Sequence, residues 1–120
     1  MATTYFAHID TDGTLTITTA DKIVSNDNTY RYLREAVGGN IDVVSTGALD
    51  VWVNDEGLFD CDVNPTLTNF IEREVGTIYQ EYYGPALIAK SNNQGQTIGL
   101  TEQDIIHITQ EVLPSMQELA

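Results

Sequence analysis

The chain has 120 residues, the length of a single domain, and its 42% of hydrophobic and 19% of charged residues are typical of a globular protein. Asp and Glu together number 18 against 5 Lys and Arg, which gives a formal net charge of −13. This balance argues against direct binding to nucleic acid or to an anionic membrane, because both need clustered cations. The lone cysteine, Cys61, excludes an intrachain disulfide and a cysteine-rich zinc site.

The first ten residues, MATTYFAHID, lack the basic and apolar regions of a secretory signal. No apolar run approaches the roughly 20 residues of a membrane-spanning helix. We therefore expect one domain over residues 1–120 that acts in the cytoplasm, with neither a membrane nor nucleic acid as a direct partner.

A β-hairpin is the first predicted element. Tyr5 to Asp10 and Thr14 to Thr19 flank Asp12-Gly13, which is a favoured two-residue turn. Leu15 and Ile17 alternate with threonines, so we expect one face of the second strand to be buried and the other to carry a row of threonines.

A short helix is predicted next, from Tyr30 to Val37, because Leu33 and Val37 fall at positions i and i+4. The polar residues Ser25 to Asn28 are natural N-caps before it. Gly38-Gly39 ends the helix, since glycine adopts the left-handed conformation of a helix C-terminus without steric cost.

From Ile41 the hydrophobic period changes to two, which predicts a three-stranded meander. Its strands are Ile41 to Ser45, Leu49 to Asn54 and Leu58 to Val63, and tight turns join them. The side chains expected to reach the core from this meander are Leu49, Val51, Val53, Phe59, Cys61 and Val63.

A second helix is predicted between Pro65, which suits the first helical turn, and Gly76. Thr77 to Tyr83 is compatible with a strand or with an irregular aromatic loop. Ala86 to Ala89 is short and apolar, as expected of a buried strand, and Thr97-Ile98 forms a brief one.

The last segment has the signals of a helix. Thr101 to Asp104 resembles a capping box, and Ile105, Ile108 and Val112 form one apolar stripe. Pro114 is expected to kink or end this helix at the preceding residue. Together the elements predict an α+β fold: a largely antiparallel sheet, made of the N-terminal hairpin and the meander, packed with two short helices and a C-terminal helix.

Residues able to carry catalysis are few and scattered. Cys61 is expected to point into the core, and neither His8 nor His107 lies near it in sequence. Surface positions are the simplest reading of both histidines, although His8, on a strand face shared with Phe6 and Asp10, could also serve as a ligand or a base. No phosphate-binding glycine loop and no metal-binding histidine spacing occurs. We predict neither enzyme activity nor a cofactor.

Two strands of the predicted meander carry a dense group of carboxylates around one tryptophan. If Val51 and Val53 face the core, alternation places Trp52 and the acidic side chains on the other face. Three interpretations stay open: a solvated face with the tryptophan covered by a helix, an interaction surface for a basic partner, and a divalent-metal site at Asp60 and Asp62 with no third ligand specified. The candidate partner-binding residues are Asp50, Trp52, Asp55, Glu56, Asp60 and Asp62.

A second candidate site combines aromatic rings with the few cations of the chain. Tyrosine offers an apolar ring and a hydroxyl, and arginine can hold a phosphate, so together they suit a nucleotide-type ligand. Salt bridges to the abundant acids are the alternative role of the arginines. The candidate ligand-binding residues are Arg31, Arg34, Tyr79, Tyr82 and Tyr83, with Tyr30 and Tyr32 upstream in the same aromatic cluster. If the protein binds such a ligand, we expect it to be a homo-oligomer.

Several short motifs occur in a fixed order along the chain: Arg34 to Gly39 followed by Ile41 to Val44, Val51 to Gly57, Val63-Asn64, and Gly84 to Ile88. Together they resemble a family of small uncharacterised proteins carried by phages and mobile elements (domain of unknown function thirty-eight forty-six). The resemblance covers the chain from Tyr30 to Ala89. It implies a phage or prophage accessory protein that acts in the host cytoplasm, and it carries over no catalytic residues.

Two functions are therefore expected. In the first, the protein binds stoichiometrically to a host or defence protein with a basic surface. A sharper variant of this function is that its carboxylates imitate the phosphates of DNA. In the second, it binds or sequesters a small molecule of the nucleotide type. Simple solubility is the alternative explanation of the negative charge.

Overall fold

Six antiparallel strands form one sheet in the computed structural model, which describes residues 3–20, 29–57, 61–78 and 80–119. The strands are β1 (Tyr5–Ile9), β2 (Leu15–Thr19), β3 (Ile41–Ser45), β4 (Asp50–Asn54), β5 (Ala86–Ser91) and β6 (Thr97–Ile98). The order across the sheet is β2-β1-β5-β4-β3, and β6 pairs with the far end of β5. The strand β5 is thus central, although it comes late in the chain.

Helices cover both faces of the sheet. The described helices are α1 (Thr29–Val37), α2 (Pro65–Val75) and α3 (Glu102–Leu119). On one face Leu33 of α1 lies in a buried cluster with Phe6 and Leu87. On the other face Phe70 of α2 lies in a second cluster with Val51, which α3 also joins. The sheet is therefore a middle layer between two apolar cores.

The N-terminal hairpin, the first helix and the strands β3 and β4 lie where the sequence predicts them. Val51 and Val53 are buried, in agreement with their alternation with polar residues. The α+β fold class is confirmed, with a hairpin, a meander of β3, β4 and β5, and three helices in the described chain. The predicted N-caps, Ser25 to Asn28, lie outside the described residues.

The third strand of the meander differs from the predicted one. β5 pairs with β4 through Val51 and Ile88 and their neighbours, so it takes the place that the sequence assigned to Leu58 to Val63. The first four residues of β5 are all buried, because helices cover the sheet on both sides of this strand. A continuous apolar run suits such a position better than an alternating one does.

The segment that the meander prediction placed in this sheet behaves differently. Leu58 to Asp60, and with them the predicted core residue Phe59, lie outside the described residues. Cys61 is half-buried, and Val63 is 37% exposed and forms an isolated bridge with Tyr83. Neither of these two side chains belongs to the fully buried core that the prediction assigned to them.

The carboxyl-terminal helix α3 begins with the predicted capping box. The N–H of Thr101 donates to Asp104 Oδ2 at 2.9 Å, and the N–H of Asp104 donates to Thr101 Oγ1 at 3.2 Å. Partial burial works to raise the pKa of Asp104, but the Thr101 hydrogen bonds and the nearby Lys90 ammonium hold that pKa below its usual value. The predicted core residues Ile108 and Val112 are buried.

Two effects were predicted for Pro114, a kink or an end of α3, and the end is excluded because the helix continues to Leu119. A proline removes one helical N–H and crowds the preceding turn, yet a helix can absorb both effects as a bend. Elsewhere, Thr77 to Tyr83 is irregular in its described part rather than a strand. Within the described residues, no helix has both the length and the apolar character needed to cross a membrane.

Candidate functional site

A cleft of about 380 Å³ opens where β4 ends. One wall comes from the carboxyl end of β4 and the turn after it, and the other from the irregular segment 80–83. The residues that line it are Asp42, Val53, Asn54, Asp55, Gly57, Gln80, Glu81, Tyr82 and Tyr83. We refer to it as the acidic cleft.

The buried residue Asn64 makes hydrogen bonds to several elements behind the tyrosine wall of this cleft. It is the N-cap of α2, where its Oδ1 accepts from the N–H of Leu67 at 3.1 Å. Its Nδ2 donates to the carbonyls of Ile9 and Gly84 at 3.1 and 2.9 Å. Asn64 therefore joins the N-terminal hairpin, the helix α2 and the chain that enters β5.

The segment 80–83 has no strand partner in the sheet, and single hydrogen bonds hold it against α2. The N–H of Tyr82 donates to the Thr68 hydroxyl at 2.9 Å, and its carbonyl accepts from the N–H of Asn64 at 2.8 Å. The N–H of Gly84 then donates to the Asp62 carbonyl at 2.8 Å. These bonds satisfy backbone groups of an irregular segment and so hold the tyrosines in place.

The opposite wall approaches this segment so closely that it requires a glycine. A Cβ atom added to Gly57 would lie 2.6 Å from the carbonyl oxygen of Tyr83, closer than real Cβ contacts come. Next to it, the Asn54 side chain donates to the Val37 carbonyl at 3.1 Å and accepts from the N–H of Glu56 at 2.8 Å. The end of α1 and the turn after β4 are thereby held together beside the cleft.

The acidic cleft has a uniform sign of charge. Its lining includes the carboxylates of Asp42, Asp55 and Glu81, and none of its described lining residues is Lys or Arg. The Tyr83 hydroxyl donates to Glu81 Oε2 at 3.3 Å. Partial desolvation together with the charge of Glu81 raises the pKa of Tyr83, so this hydroxyl keeps its proton and remains a donor.

The structure divides the predicted partner-binding residues between several places. Asp55 lines the acidic cleft. Glu56 follows Asp55 directly in the sequence, and both Glu56 and Asp62 are exposed. Asp50 lies at the opposite end of β4, roughly 16 Å away at the usual rise per strand residue. Its carboxylate accepts a hydrogen bond from the hydroxyl of Ser91.

Two more of those predicted residues do not contribute to the cleft. Trp52 is half-buried in the apolar cluster beneath α1, so the interpretation in which a helix covers the tryptophan describes its position. Asp60 lies outside the described residues, and so does its part in the metal interpretation. Among the described side chains, no group of three or more His, Cys, Asp or Glu is placed to hold a metal ion.

Sequence reasoning missed Asp42 and Glu81 as members of the cleft. For Asp42 the alternation along β3 was a misleading signal, because it favours Ile41 and Val43 on the face of Val53, whereas Asp42 is the residue that lies opposite Val53 in the ladder. For Glu81 there was none, because an irregular segment has no period from which the direction of a side chain can be read.

A second concavity, of about 610 Å³, lies along the outer side of α1. It is lined by Tyr30, Arg31, Arg34, Glu35 and the two glycines that follow the helix. The Arg34 guanidinium lies 5.8 Å from the centre of the Tyr30 ring, a cation–π distance. We call this concavity the arginine groove.

Of the tyrosines that the sequence placed with Arg31 and Arg34, Tyr30 lines the arginine groove and the described candidate tyrosines do not. Tyr82 and Tyr83 line the acidic cleft instead, and Tyr79 lies outside the described residues. Tyr30 takes their place beside the arginines. Within the described part of the chain, neither Arg31 nor Arg34 forms an ion pair.

His8 is half-buried between the sheet and α1 rather than on an open surface. Its Nε2 lies 3.0 Å from the Tyr32 hydroxyl and 3.2 Å from the Thr18 hydroxyl. Burial lowers the pKa of His8, which favours the neutral ring. His107 is exposed on α3, as expected, with Nε2 2.7 Å from Glu74 Oε1 of α2.

Comparison with known proteins gives one match. The family model described as Domain of unknown function (DUF3846) matches residues 8–113, from the first strand to the last helix. The matched region therefore includes both the acidic cleft and the arginine groove. No curated protein and no solved structure matches the chain.

Proposed function

The chain belongs to the family described as Domain of unknown function (DUF3846), and from this premise we propose that it acts without catalysis, by stoichiometric binding to the basic surface of a host or defence protein. We also propose that it is a phage-type accessory protein that acts in the host cytoplasm. The order of its sequence motifs supports this part of the proposal. The acidic cleft is the binding site that we propose.

The observation that carries this proposal is the charge of the acidic cleft. Three carboxylates line it without a lysine or arginine among the described lining residues, and Glu56 and Asp62 add negative charge beside it. Such a surface repels acidic partners and attracts basic ones from a distance. A lysine or arginine entering the cleft would find carboxylate acceptors, and none of the described lining residues is a cation that it would have to displace.

The tyrosines add aromatic contact surface to the charge of the cleft. Tyr82 and Tyr83 are half-buried in the wall, where backbone hydrogen bonds of the segment hold them in position. Aromatic side chains at the centre of an interface, surrounded by a polar rim, contribute much of the binding energy in protein complexes. The cleft combines such a centre with a carboxylate rim.

Affinity purification from host lysate tests the proposal. The triple variant Asp42→Asn, Asp55→Asn, Glu81→Gln removes three charges from the cleft and keeps the shapes of the side chains. The matched control is Glu72→Gln, Glu102→Gln, Glu111→Gln, which removes the same charge from α2 and α3, outside the cleft lining. We expect the wild type and the control to retain the same partner, and the cleft variant to lose it.

The salt concentration provides a second readout. A complex held by the cleft should dissociate between about 0.1 and 0.5 M NaCl, because salt screens interactions between exposed charges. The partner should also be displaced by duplex DNA if the carboxylates imitate phosphates. A complex that survives both the cleft variant and high salt would contradict binding through this cleft.

The arginine groove supports a second candidate function, the binding of a small anionic molecule of the nucleotide type. Arg31 and Arg34 offer guanidinium groups without a described ion pair, and Tyr30 offers a ring for stacking. Thermal-shift screening against nucleotides tests it. A saturable rise in melting temperature that Arg34→Ala abolishes, and Arg73→Ala does not, would support this function over the first.

A further inference from the structure

The outer edge of β3 carries backbone groups that the sheet does not use. β3 is the last strand in the sheet order, and among the described residues no strand pairs with its outer side. The hydrogen bond from Asp55 N–H to the Asn40 carbonyl and that from Thr46 N–H to the Leu49 carbonyl flank its ladder with β4. Because bonded pairs alternate in an antiparallel ladder, Asp42 and Val44 turn their backbone groups toward β4.

The alternate residues Ile41, Val43 and Ser45 therefore direct their N–H and C=O groups to the open edge. Val43 is 42% exposed, on the face of the sheet that carries Trp52. An edge strand of this kind is a template for an additional strand unless something blocks it. The chemistry of the neighbouring side chains then decides which strand can be added.

One side chain of the acidic cleft blocks this edge in the free protein. Asp42 Oδ1 accepts a hydrogen bond of 2.9 Å from the N–H of Val43, which is the central donor of the open edge. The carboxylate thus occupies the position that the carbonyl of an added strand would take. The opposite edge strand, β2, contains no charged residue. The two edges of the sheet differ in this respect.

We infer that the edge of β3 binds an extended basic segment of a partner protein as an additional antiparallel strand. In this arrangement a lysine or arginine of the segment enters the acidic cleft and draws the Asp42 carboxylate away from Val43. The freed N–H then joins the ladder with the added strand. Only a strand with a cation on the Asp42 side opens the edge, so charge and backbone pairing act together. This inference rests on the proposed binding of a basic partner and specifies its mode.

A synthetic peptide tests the inference directly. The probe is an acetylated, amidated peptide of seven residues in which arginine and valine alternate, with its binding to the full chain measured by calorimetry. In the antiparallel arrangement, the valines lie opposite Ile41, Val43 and Ser45, and their backbone N–H groups point toward β3. The arginines lie opposite Asp42 and Val44, and their backbone N–H groups point to solvent. Methylation of the backbone nitrogens of the valine residues should weaken binding by about tenfold or more, because it removes the N–H groups that donate to β3.

The control is the same peptide with an equal number of methyl groups on the backbone nitrogens of its arginine residues, so that the two methylated peptides have the same composition and charge. We expect it to bind like the parent peptide, and we expect Asp42→Asn to weaken both about tenfold while Glu72→Gln leaves both unchanged. In the complex the amide proton of Val43 should become protected from exchange with solvent. Equal weakening by the two methylations, or none by either, would overturn strand addition.

The outcomes separate this inference from the proposed function. If both methylated peptides bind as the parent does, and binding still falls with salt and with Asp55→Asn, the cleft binds basic chains without strand pairing. If no arginine peptide binds at any salt concentration, both the inference and the basic-partner proposal fail. If the affinity for the peptide is unchanged by Asp42→Asn, the Asp42 carboxylate does not determine whether a strand can pair with the edge of β3.

Discussion

At the scale of single residues, Asn64 combines more roles than any sequence signal suggested. Its position before Pro65 indicated a helix start, but its contact with the Ile9 carbonyl joins residues 55 positions apart in the chain. The amide is the one neutral side chain of its shape that can both accept from the helix and donate to two carbonyls. A polar group buried with all its bonds made is stabilising only while all its partners remain.

Replacement of Asn64 by alanine is predicted to cost about 3 kcal/mol of unfolding free energy, since the helix cap is lost and two buried carbonyls lose a donor. Urea denaturation followed by circular dichroism measures this cost. Asn64→Asp should be no better, because its carboxylate keeps the cap but faces the two carbonyls. The exposed Asn40→Ala is the control, and a loss below about 1 kcal/mol for Asn64→Ala would contradict the role assigned here.

His8 makes the stability of the protein depend on pH. Burial holds its pKa in the folded protein below the ordinary value of 6.5, so the unfolded chain binds a proton more readily than the folded one. The contribution of His8 to stability is complete above pH 6.5 and is lost as the pH falls through 6.5 toward the lower pKa of the folded protein. The hydroxyls of Thr18 and Tyr32 contact the ring.

The urea midpoint of the wild type is therefore predicted to fall more between pH 7.5 and pH 5 than that of His8→Gln. The variant Asn40→Ala, which changes an exposed residue that is not ionisable, should follow the wild type. Every other ionisable group is present in all three proteins, so the difference between them isolates His8. Parallel pH profiles for wild type and His8→Gln would contradict this prediction.

At the scale of elements, the sequence predicted strands and helices where their signals are local. The alternation in β3 and β4 and the glycine after α1 each depend on neighbours within a few residues. The pairing of β4 with β5 joins Val51 to Ile88, and no local pattern distinguishes that partner from the apolar residues after Gly57. The helix α3 continues past Pro114 to Leu119, which shows that the local signal of one proline does not by itself determine where a helix ends.

The candidate site was predicted less completely than the fold. Alternation shows which side chains share a face, and it correctly separates Trp52 from Val51 and Val53. It does not show whether a face is covered, and here α1 covers the one that bears Trp52. The acidic cleft depends on the irregular segment 80–83, whose position follows from contacts with Thr68 and Asn64 and not from a period.

The capping box of α3 gives a prediction at this scale. Thr101→Ala removes the hydroxyl that accepts from the N–H of Asp104, and the expected loss is about 1 kcal/mol. Thr101→Ser keeps the hydroxyl and should stay within a few tenths of a kcal/mol of the wild type. Thermal unfolding followed by circular dichroism compares the two, and an equal loss in both would assign the effect to the methyl group.

At the scale of the whole molecule, the net charge of −13 has opposite effects on folding and on the proposed binding. Repulsion between like charges destabilises the compact state, and added salt screens it. The attraction between the acidic cleft and a basic partner is screened in the same way. Salt should therefore stabilise the free protein and weaken its complex.

The melting temperature is predicted to rise by a few degrees between about 0.02 and 0.3 M NaCl, while affinity for the arginine-valine peptide falls over the same range. Differential scanning fluorimetry and calorimetry on one preparation measure the two. Sodium sulfate is not a suitable salt for this comparison, because it also strengthens apolar burial. A melting temperature that does not change with NaCl would indicate that the carboxylates are spaced too widely to repel one another.

The central position of β5 has a consequence for synthesis on the ribosome. The hairpin of β1 and β2 and the hairpin of β3 and β4 do not pair with each other, because β5 lies between them. At roughly 5–20 residues per second, the nascent chain holds both hairpins for seconds before Ala86–Ser91 is made. During that time the inner edges of β1 and β4 are open to chaperones and to other nascent chains. The two hairpins can join into one sheet only after β5 has been made.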